Sequence, residues 1–247
     1  MRMVKTPKLL PGERFDDLNC KGYHVIQNPD SFCFGIDAVL LANFANVKPG
    51  KRVLDLCTGS AVIPILMAAK TKAGRIDALE LNEEVAERAK RSIEANELEN
   101  LVYITQGDVC NAKKIYGNQS MDVITVNPPY MTTDSGLHKP NDAKNMARHE
   151  VYCTLEDVIS QSSALLKEKG TFFMVHRPSR LPEIFHHMVK YKIQPKRMRL
   201  VQPYIDKEPN MVLIEGIKGG GAQLNIDTPL VIYNKDGSYT DDVPKDE

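Results

Sequence analysis

Arg52-Val-Leu-Asp-Leu56, followed by Cys57-Thr-Gly-Ser60, opens the part of the chain that decides the fold. Five residues of strand character run into a turn, and Ala61 to Ala69 continues as an apolar helix whose first turn tolerates Pro64. Arg75-Ile-Asp-Ala-Leu-Glu80 reads as a second strand, and Glu83 to Ala95 as an amphipathic helix whose leading acids suit the helix dipole. Leu101 to Thr105 is a third strand, ending near Gly107-Asp108, and Met121 to Val126 is a fourth. Thr154 to Leu166 is a helix with a threonine cap and Asp157 three residues on. Thr171 to Val175 is a fifth strand, and Leu181 to Val189 a further helix. Strands separated by helices predict an α/β fold: a mostly parallel sheet covered on both faces.

The two ends of the chain depart from this alternation. Tyr23 to Gln27 reads as a strand, Asn28-Pro-Asp-Ser31 as a turn and Phe32-Cys-Phe34 as the returning arm of a hairpin, before a helix from Ile36 to Ala45. Lys196 to Val201 and Met211 to Gly216 have no helix between them, which predicts an antiparallel pair at a sheet edge. Gly219-Gly-Gly221 reads as a flexible loop, and polar, acidic Asn234 to Glu247 as a loose tail. One domain over 1–247 is expected, with a hairpin and helix extension (1–50), a ligand-binding core (51–217) and a terminal strand and tail (218–247).

Composition narrows the class. With 247 residues, 42% hydrophobic and 26% charged, the chain has the make-up of an ordinary globular protein. Nothing approaches about 18 uninterrupted apolar residues, so no membrane span is expected. The start, Met1-Arg-Met-Val-Lys-Thr-Pro7, has no apolar signal core, so a cytoplasmic protein is expected. Cys20, Cys33, Cys57, Cys110 and Cys153 are scattered without CxxC spacing, and the six histidines form no HExxH. Reduced thiols and no metal are the expectation. The net charge is zero, yet seven basic residues between Arg177 and Arg199 face only Glu183, and Lys139, Lys144 and Arg148 form a second group. Such runs offer a polyanion a face to approach, or are simply solvated charges.

Ligands of open α/β sheets bind beyond the carboxyl ends of the strands. Four strands deliver Asp55 with the Cys57–Ser60 turn, Glu80, Asp108, and Asn127-Pro128-Pro129-Tyr130 to that edge. Two prolines cannot extend a sheet, so they hold an amide and a phenol ring in a stiff turn, suited to a planar, nitrogen-bearing group. Glu80 is the kind of acid that accepts from two ribose hydroxyls, and Asp108 from an adenine amino group or, alternatively, from a helix N-terminus. A dinucleotide fits poorly: only Gly59 allows close backbone approach, and Asp55 repels phosphate. S-adenosyl-L-methionine, cationic and without phosphate, fits better.

With these residues the chain resembles the class I S-adenosylmethionine-dependent methyltransferases, which have a Rossmann-like fold. Asp55-Leu-Cys-Thr-Gly59 resembles their first cofactor loop, although Cys57 and Ala61 stand where glycine is frequent. Phe32-Cys-Phe-Gly-Ile-Asp-Ala38, the Asn127–Tyr130 tetrapeptide, Ala147-Arg-His-Glu150 and Glu208-Pro-Asn-Met-Val-Leu-Ile-Glu215 are similar to the bacterial tRNA(Val) adenine-N6 methyltransferase family. The resemblance implies cofactor contacts from Asp37, Asp55, Cys57, Thr58, Gly59, Glu80, Leu81, Asp108, Val109 and Asn127. It implies catalysis by Asn127, Pro128, Pro129 and Tyr130, and substrate binding through Tyr130, Arg148 and His149, the last two either touching RNA, ordering the substrate loop or serving structure alone. The Asn127 side-chain oxygen and the Pro128 carbonyl are expected to accept the two hydrogens of an exocyclic amine, with Tyr130 stacking on the base. Protein glutamine N5-methylation uses the same tetrapeptide and is the nearest rival; a non-catalytic RNA-binding module on this fold, and a dehydrogenase, are more distant ones.

Overall fold

The computed structural model describes residues 6–30, 33–129 and 153–243. An N-terminal ribbon, β1 (Arg14–Cys20) and β2 (Tyr23–Gln27), precedes α1 (Ile36–Phe44). The core then runs through β3 (Arg52–Leu56), α2 (Val62–Lys70), β4 (Arg75–Glu80), α3 (Glu83–Ala95) and β5 (Val102–Gln106). A 3-10 turn (Val109–Asn111) leads into the short α4 (Ala112–Tyr116) and then β6 (Met121–Val126). After the segment outside the described residues come α5 (Leu155–Leu165), β7 (Leu166–His176), α6 (Leu181–Lys190), β8 (Ile193–Gln202), β9 (Met211–Lys218) and β10 (Asn225–Val231).

Eight strands form one sheet in the order β10-β8-β9-β7-β6-β3-β4-β5. β9 runs antiparallel to both neighbours, and every other pairing is parallel. The strands are apolar on both faces because helices cover both, so consecutive residues enter opposite cores. Val53, Val123 and Phe173 pack with α1, α2 and α3, while Leu54, Ile124 and Phe172 pack with α5 and α6. Chain order reverses between β3 and β6, since β4 and β5 extend one way and β6 and β7 the other. That reversal opens a crevice at the carboxyl ends of β3 and β6.

Three expectations need correction. The partner of Tyr23–Gln27 is upstream Arg14–Cys20. Phe34 joins no ladder, and its N–H is held instead by the Gln27 side chain at 3.0 Å; Phe32 lies outside the described residues. The apolar character of Phe32–Phe34 imitates a strand, whereas the Lys21-Gly22 turn, with φ of 48° and 72°, closes the real hairpin. The antiparallel pair forms as expected, but β10 lies outside it, parallel to β8. The polar stretch after Tyr233 is not loose over its described part. It turns at Gly237, Thr240 N–H donates to Ile232 O at 3.0 Å, and Val243 is 4% exposed. Val243, the Tyr239 ring stacked on Tyr233 and backbone hydrogen bonds hold a segment whose composition reads as a tail.

The ribbon is fastened to α3 by side chains. Asn96 accepts from His24 N–H and donates to His24 O, and Ser92 Oγ accepts from Ile26 N–H at 3.0 Å. These groups take the place of a neighbouring strand along β2. Glu13, its side chain 2% exposed, pairs with Arg88 at 3.1 Å and Arg91 at 2.7 Å. The Arg91 hydrogen bond is the largest cause that holds the Glu13 carboxyl down to about 2.

Candidate functional site

The crevice is built around the turn after β3. Cys57, Gly59 and Ala61 all have left-handed backbone, with φ of 57°, 56° and 66°. This explains why glycine is frequent at such positions, because an L-side chain there costs about 1–2 kcal/mol. The loop is held by Thr58 N–H to Leu79 O at 3.0 Å, and by Gly59 N–H to Glu80 Oε2 at 2.8 Å. Glu80 is 8% exposed and its Oε1 accepts from Asn82 N–H at 2.9 Å. It is therefore a buried brace between two loops rather than a surface acid, and a carboxylate retains lone pairs for hydroxyl donors.

Asp55 is fully buried at the end of β3, and its Oδ1 accepts from Thr125 Oγ1 at 2.6 Å. Among the described residues, neither Asp55 Oδ2 nor Thr58 Oγ1 makes a hydrogen bond of good geometry, although both are buried. Such atoms are costly to leave unmatched. Burial pushes the Asp55 carboxyl up to about 7, the Thr125 and Thr58 hydroxyls pull it back, and Glu80 adds repulsion. Burial likewise pushes the Cys57 thiol well up, reinforced by Glu80, Asp55 and Asp108, so it is a neutral group and not a nucleophile.

Asn127 leaves β6 and lines the same cleft as Phe34, Ala38, Cys57, Thr58 and Gly59. Pro128 is buried and Pro129 exposed. Tyr130, Arg148 and His149 lie outside the described residues. Asp108 accepts from Cys110 N–H at 2.8 Å, the capping role weighed as its alternative. Val109, next to it, is buried, and Leu81 O accepts from Gln106 Nε2 at 2.9 Å. Asp37 is 9% exposed, one residue from cleft-lining Ala38, whose N–H its own Oδ1 accepts at 2.9 Å. A separate hollow of about 280 Å³ near Tyr204 and Tyr233 lies beyond the ends of β8 and β10, apart from this group.

Sequence reasoning missed Thr125, Phe34 and Ala38 as site residues. Thr125 reaches Asp55 only because β6 pairs with β3 in that register, which no local pattern announces. Buried His176 ends β7 on the same sheet edge; burial brings its pKa down to about 4, and its Nδ1 accepts from Arg177 N–H at 2.8 Å. Three members of the basic run are ion-paired. Arg180 pairs with Glu183, Lys190 with Glu156, and Arg197 with Glu215 and Asp227.

The arrangement offers a buried carboxyl, two hydroxyl-accepting or capping acids, an open glycine and an amide beside one cleft. Asp55 Oδ2 and the space beside Gly59, where an added Cβ would meet nothing within 4 Å, fit a ligand with a cationic amine and close backbone approach. The family model described as the methyltransferase small domain matches residues 24–190. A tRNA1(Val) (adenine(37)-N6)-methyltransferase from Porphyromonas gingivalis is 29% identical over 206 residues, covering 81% of this chain and 80% of its own. A protein of the same name from Aeromonas hydrophila is 28% identical, covering 90% and 91%. Among solved structures, a predicted O-methyltransferase from Agrobacterium tumefaciens aligns with TM-score 0.67 at 23% identity, over 83% of this chain and 92% of that one. Geranyl diphosphate C-methyltransferase from Streptomyces coelicolor, in complex with S-adenosyl-L-homocysteine, aligns with TM-score 0.56 at 13% identity, over 73% and 78%.

Proposed function

The chain belongs to the methyltransferase small domain family and is an S-adenosylmethionine-dependent methyltransferase, and from that premise we propose that it methylates N6 of an adenine in tRNA. The names of its curated relatives specify adenine 37 of tRNA1(Val), and we carry that target, beside the anticodon, to this chain. The observation that carries the reading is Asn127 lining one cleft with the Cys57–Gly59 turn. A target nitrogen held by Asn127 thus lies beside the cofactor loop.

In this reading Asp55 and Thr58 hold the amino-acid end of the cofactor, Gly59 admits its close approach, and Glu80 accepts from the ribose. Leu81, Asp108 and Val109 border the adenine, and Asp37, Cys57 and Asn127 complete the wall. When bound, the cofactor supplies an electrophilic methyl group on sulfur. The protein's own work is to position and polarise the acceptor. An exocyclic amine is a weak nucleophile because its lone pair is delocalised into the ring. The Asn127 side-chain oxygen and the Pro128 carbonyl accept its two hydrogens, favour a tetrahedral nitrogen and stabilise the positive charge that develops there. Pro129 stiffens the turn, Tyr130 stacks on the extruded base, and Arg148 and His149 contact the RNA. The buried His176 is not assigned as base, since its Nδ1 already serves Arg177 N–H; the proton leaves to water.

No helix among the described residues is long and apolar enough to cross a membrane. The test is methyl transfer from labelled cofactor to bulk tRNA and, in parallel, to a glutamine-containing release-factor peptide, with nucleoside mass spectrometry of the RNA. N6-methyladenosine in tRNA is the expected product. Label in the peptide and none in the RNA overturns the reading in favour of glutamine N5-methylation. Binding of tRNA without transfer to either substrate overturns it in favour of a non-catalytic module.

A further inference from the structure

Outside the cleft, the described residues contain one group of potential metal ligands. One donor atom each from Cys110, Cys153 and Asp157 lies within 4.8 Å of the other two, and all three residues are half-buried. They come from separate places. Cys110 sits in the 3-10 turn after β5, Cys153 precedes the cap of α5, and Asp157 lies in the first turn of α5.

Two of the donors are oriented by their surroundings. Asp108 takes the Cys110 N–H at 2.8 Å and fixes the turn that presents the thiol. Asp157 Oδ2 accepts from Thr154 N–H at 2.9 Å and from Thr154 Oγ1 at 2.6 Å, which sets the carboxylate plane while Oδ1 is the second oxygen. Ligand carboxylates held by outer hydrogen bonds in this way are a regular part of metal sites.

We propose that Cys110, Cys153 and Asp157 bind one thiophilic cation of the zinc type, clasping the turn after β5 to the start of α5. Tetrahedral zinc has Zn–S of about 2.3 Å and Zn–O of about 2.0–2.2 Å, so its ligand atoms lie about 3.5–3.8 Å apart. Side chains already within 4.8 Å need to contract by about 1.3 Å at most, which is within the reach of rotamer adjustment. Two thiolates select zinc-like or monovalent copper ions over magnesium or calcium, which require oxygen donors. Two thiolates and a carboxylate around a divalent ion leave one negative charge, and that charge faces the positive end of the α5 dipole. Binding replaces two S–H bonds by two S–metal bonds, releases two protons to solvent and involves no electron transfer. Three protein ligands leave one coordination position for water.

The clasp has a definite place in the architecture. Cys110 is two residues from Asp108, and Cys153 directly precedes Thr154, the cap of α5. The metal therefore joins the edge of the cofactor site to the start of α5. The proposal stands independently of the RNA substrate.

The experiment uses the full chain, stripped with chelator, kept reduced with a phosphine and titrated with Co(II) and then Zn(II). The expected result is saturation at one equivalent, a thiolate-to-cobalt charge-transfer band with the visible bands of a tetrahedral centre, and displacement by zinc. Cys110→Ser and Cys153→Ser each remove the charge-transfer intensity of one thiolate and weaken binding. Asp157→Asn keeps an acceptor for Thr154 and weakens binding by about tenfold or more. Cys33→Ser, at a remote thiol, changes nothing. Circular dichroism verifies that each variant is folded. Absence of saturable binding to the reduced wild-type chain overturns the proposal, as does binding that survives both cysteine substitutions.

Discussion

Replacing Asp55 by Asn should change how stability depends on pH, in the direction opposite to that usual for a carboxylate. Asp55 is fully buried and moved from an ordinary value of 3.8 to about 7. Because the folded value is raised, its stabilising contribution is complete below about pH 3.8 and is lost as pH rises through 7. Within that window the unfolded chain ionises freely while the folded chain holds its proton. At about 1.4 kcal/mol per pH unit, the full effect is about 4 kcal/mol. Asparagine has nearly the same shape and no charge. Urea unfolding of wild type and Asp55→Asn between pH 4 and 8 should therefore give a stability difference that moves by about 4 kcal/mol, with the variant gaining as pH rises. Saturating S-adenosylmethionine should flatten the wild-type loss, because its ammonium group partners the ionised carboxylate. Parallel pH curves for the two proteins without cofactor would refute the assignment of a desolvated buried carboxyl at the end of β3.

The other predictions concern neighbouring parts of the site and the ribbon that flanks it. Asn127→Ala should lower kcat on the order of 100-fold while leaving cofactor affinity in calorimetry largely intact; wild-type turnover would remove Asn127 from the chemistry. Gly59→Ala introduces a Cβ at φ +56° that meets nothing within 4 Å in the protein itself. Its stability cost should be only about 1 kcal/mol, but its cofactor Kd should rise well beyond what that cost implies; an unchanged Kd would place the cofactor elsewhere. Glu13→Gln leaves Arg88, 7% exposed, without its charge partner and should cost about 3 kcal/mol at pH 7. Glu13 is held down to about 2, so the wild-type contribution is present above its ordinary value of 4.5 and is lost as pH falls toward 2. Equal unfolding midpoints of the two proteins at pH 7 would show that the pair contributes nothing.

The core of the fold was legible because its signals are local. β3, β4 and β6 are short apolar runs, α3 is amphipathic over the residues expected, and Thr154 with Asp157 forms the capping box their spacing indicates. The acids at the strand ends were legible for the same reason, since the sheet converts chain position into place on one edge. Features that depend on two distant segments were not. Thr125 meets Asp55 through strand register, and the thiols of Cys110 and Cys153 meet through the packing of α5 beside the turn after β5, with no spacing motif in the chain. The ion pairing of the basic run between Arg177 and Arg199 was not legible either, because Glu156, Glu215 and Asp227, which pair with Lys190 and Arg197, lie outside it. The departures from glycine at Cys57 and Ala61 mark strained positions in a loop that nevertheless keeps its shape, because Leu79 and Glu80 hold it from the neighbouring strand.

The attachment of the N-terminal ribbon to α3 carries a consequence for synthesis on the ribosome. The ribbon's partners lie far downstream: Glu13 to Arg88 spans 75 residues, His24 to Asn96 spans 72, and Ile26 to Ser92 spans 66. A two-stranded ribbon alone is marginally stable in water. The ribbon therefore waits for α3 to emerge, about 4–14 s at ordinary translation rates of about 5–20 residues per second. Through that interval Val25 and Ile26, both fully buried in the finished fold, are open to chaperones and proteases. A nascent chain stalled before residue 96 presents them without their cover, so the helix that closes the ribbon also times its protection.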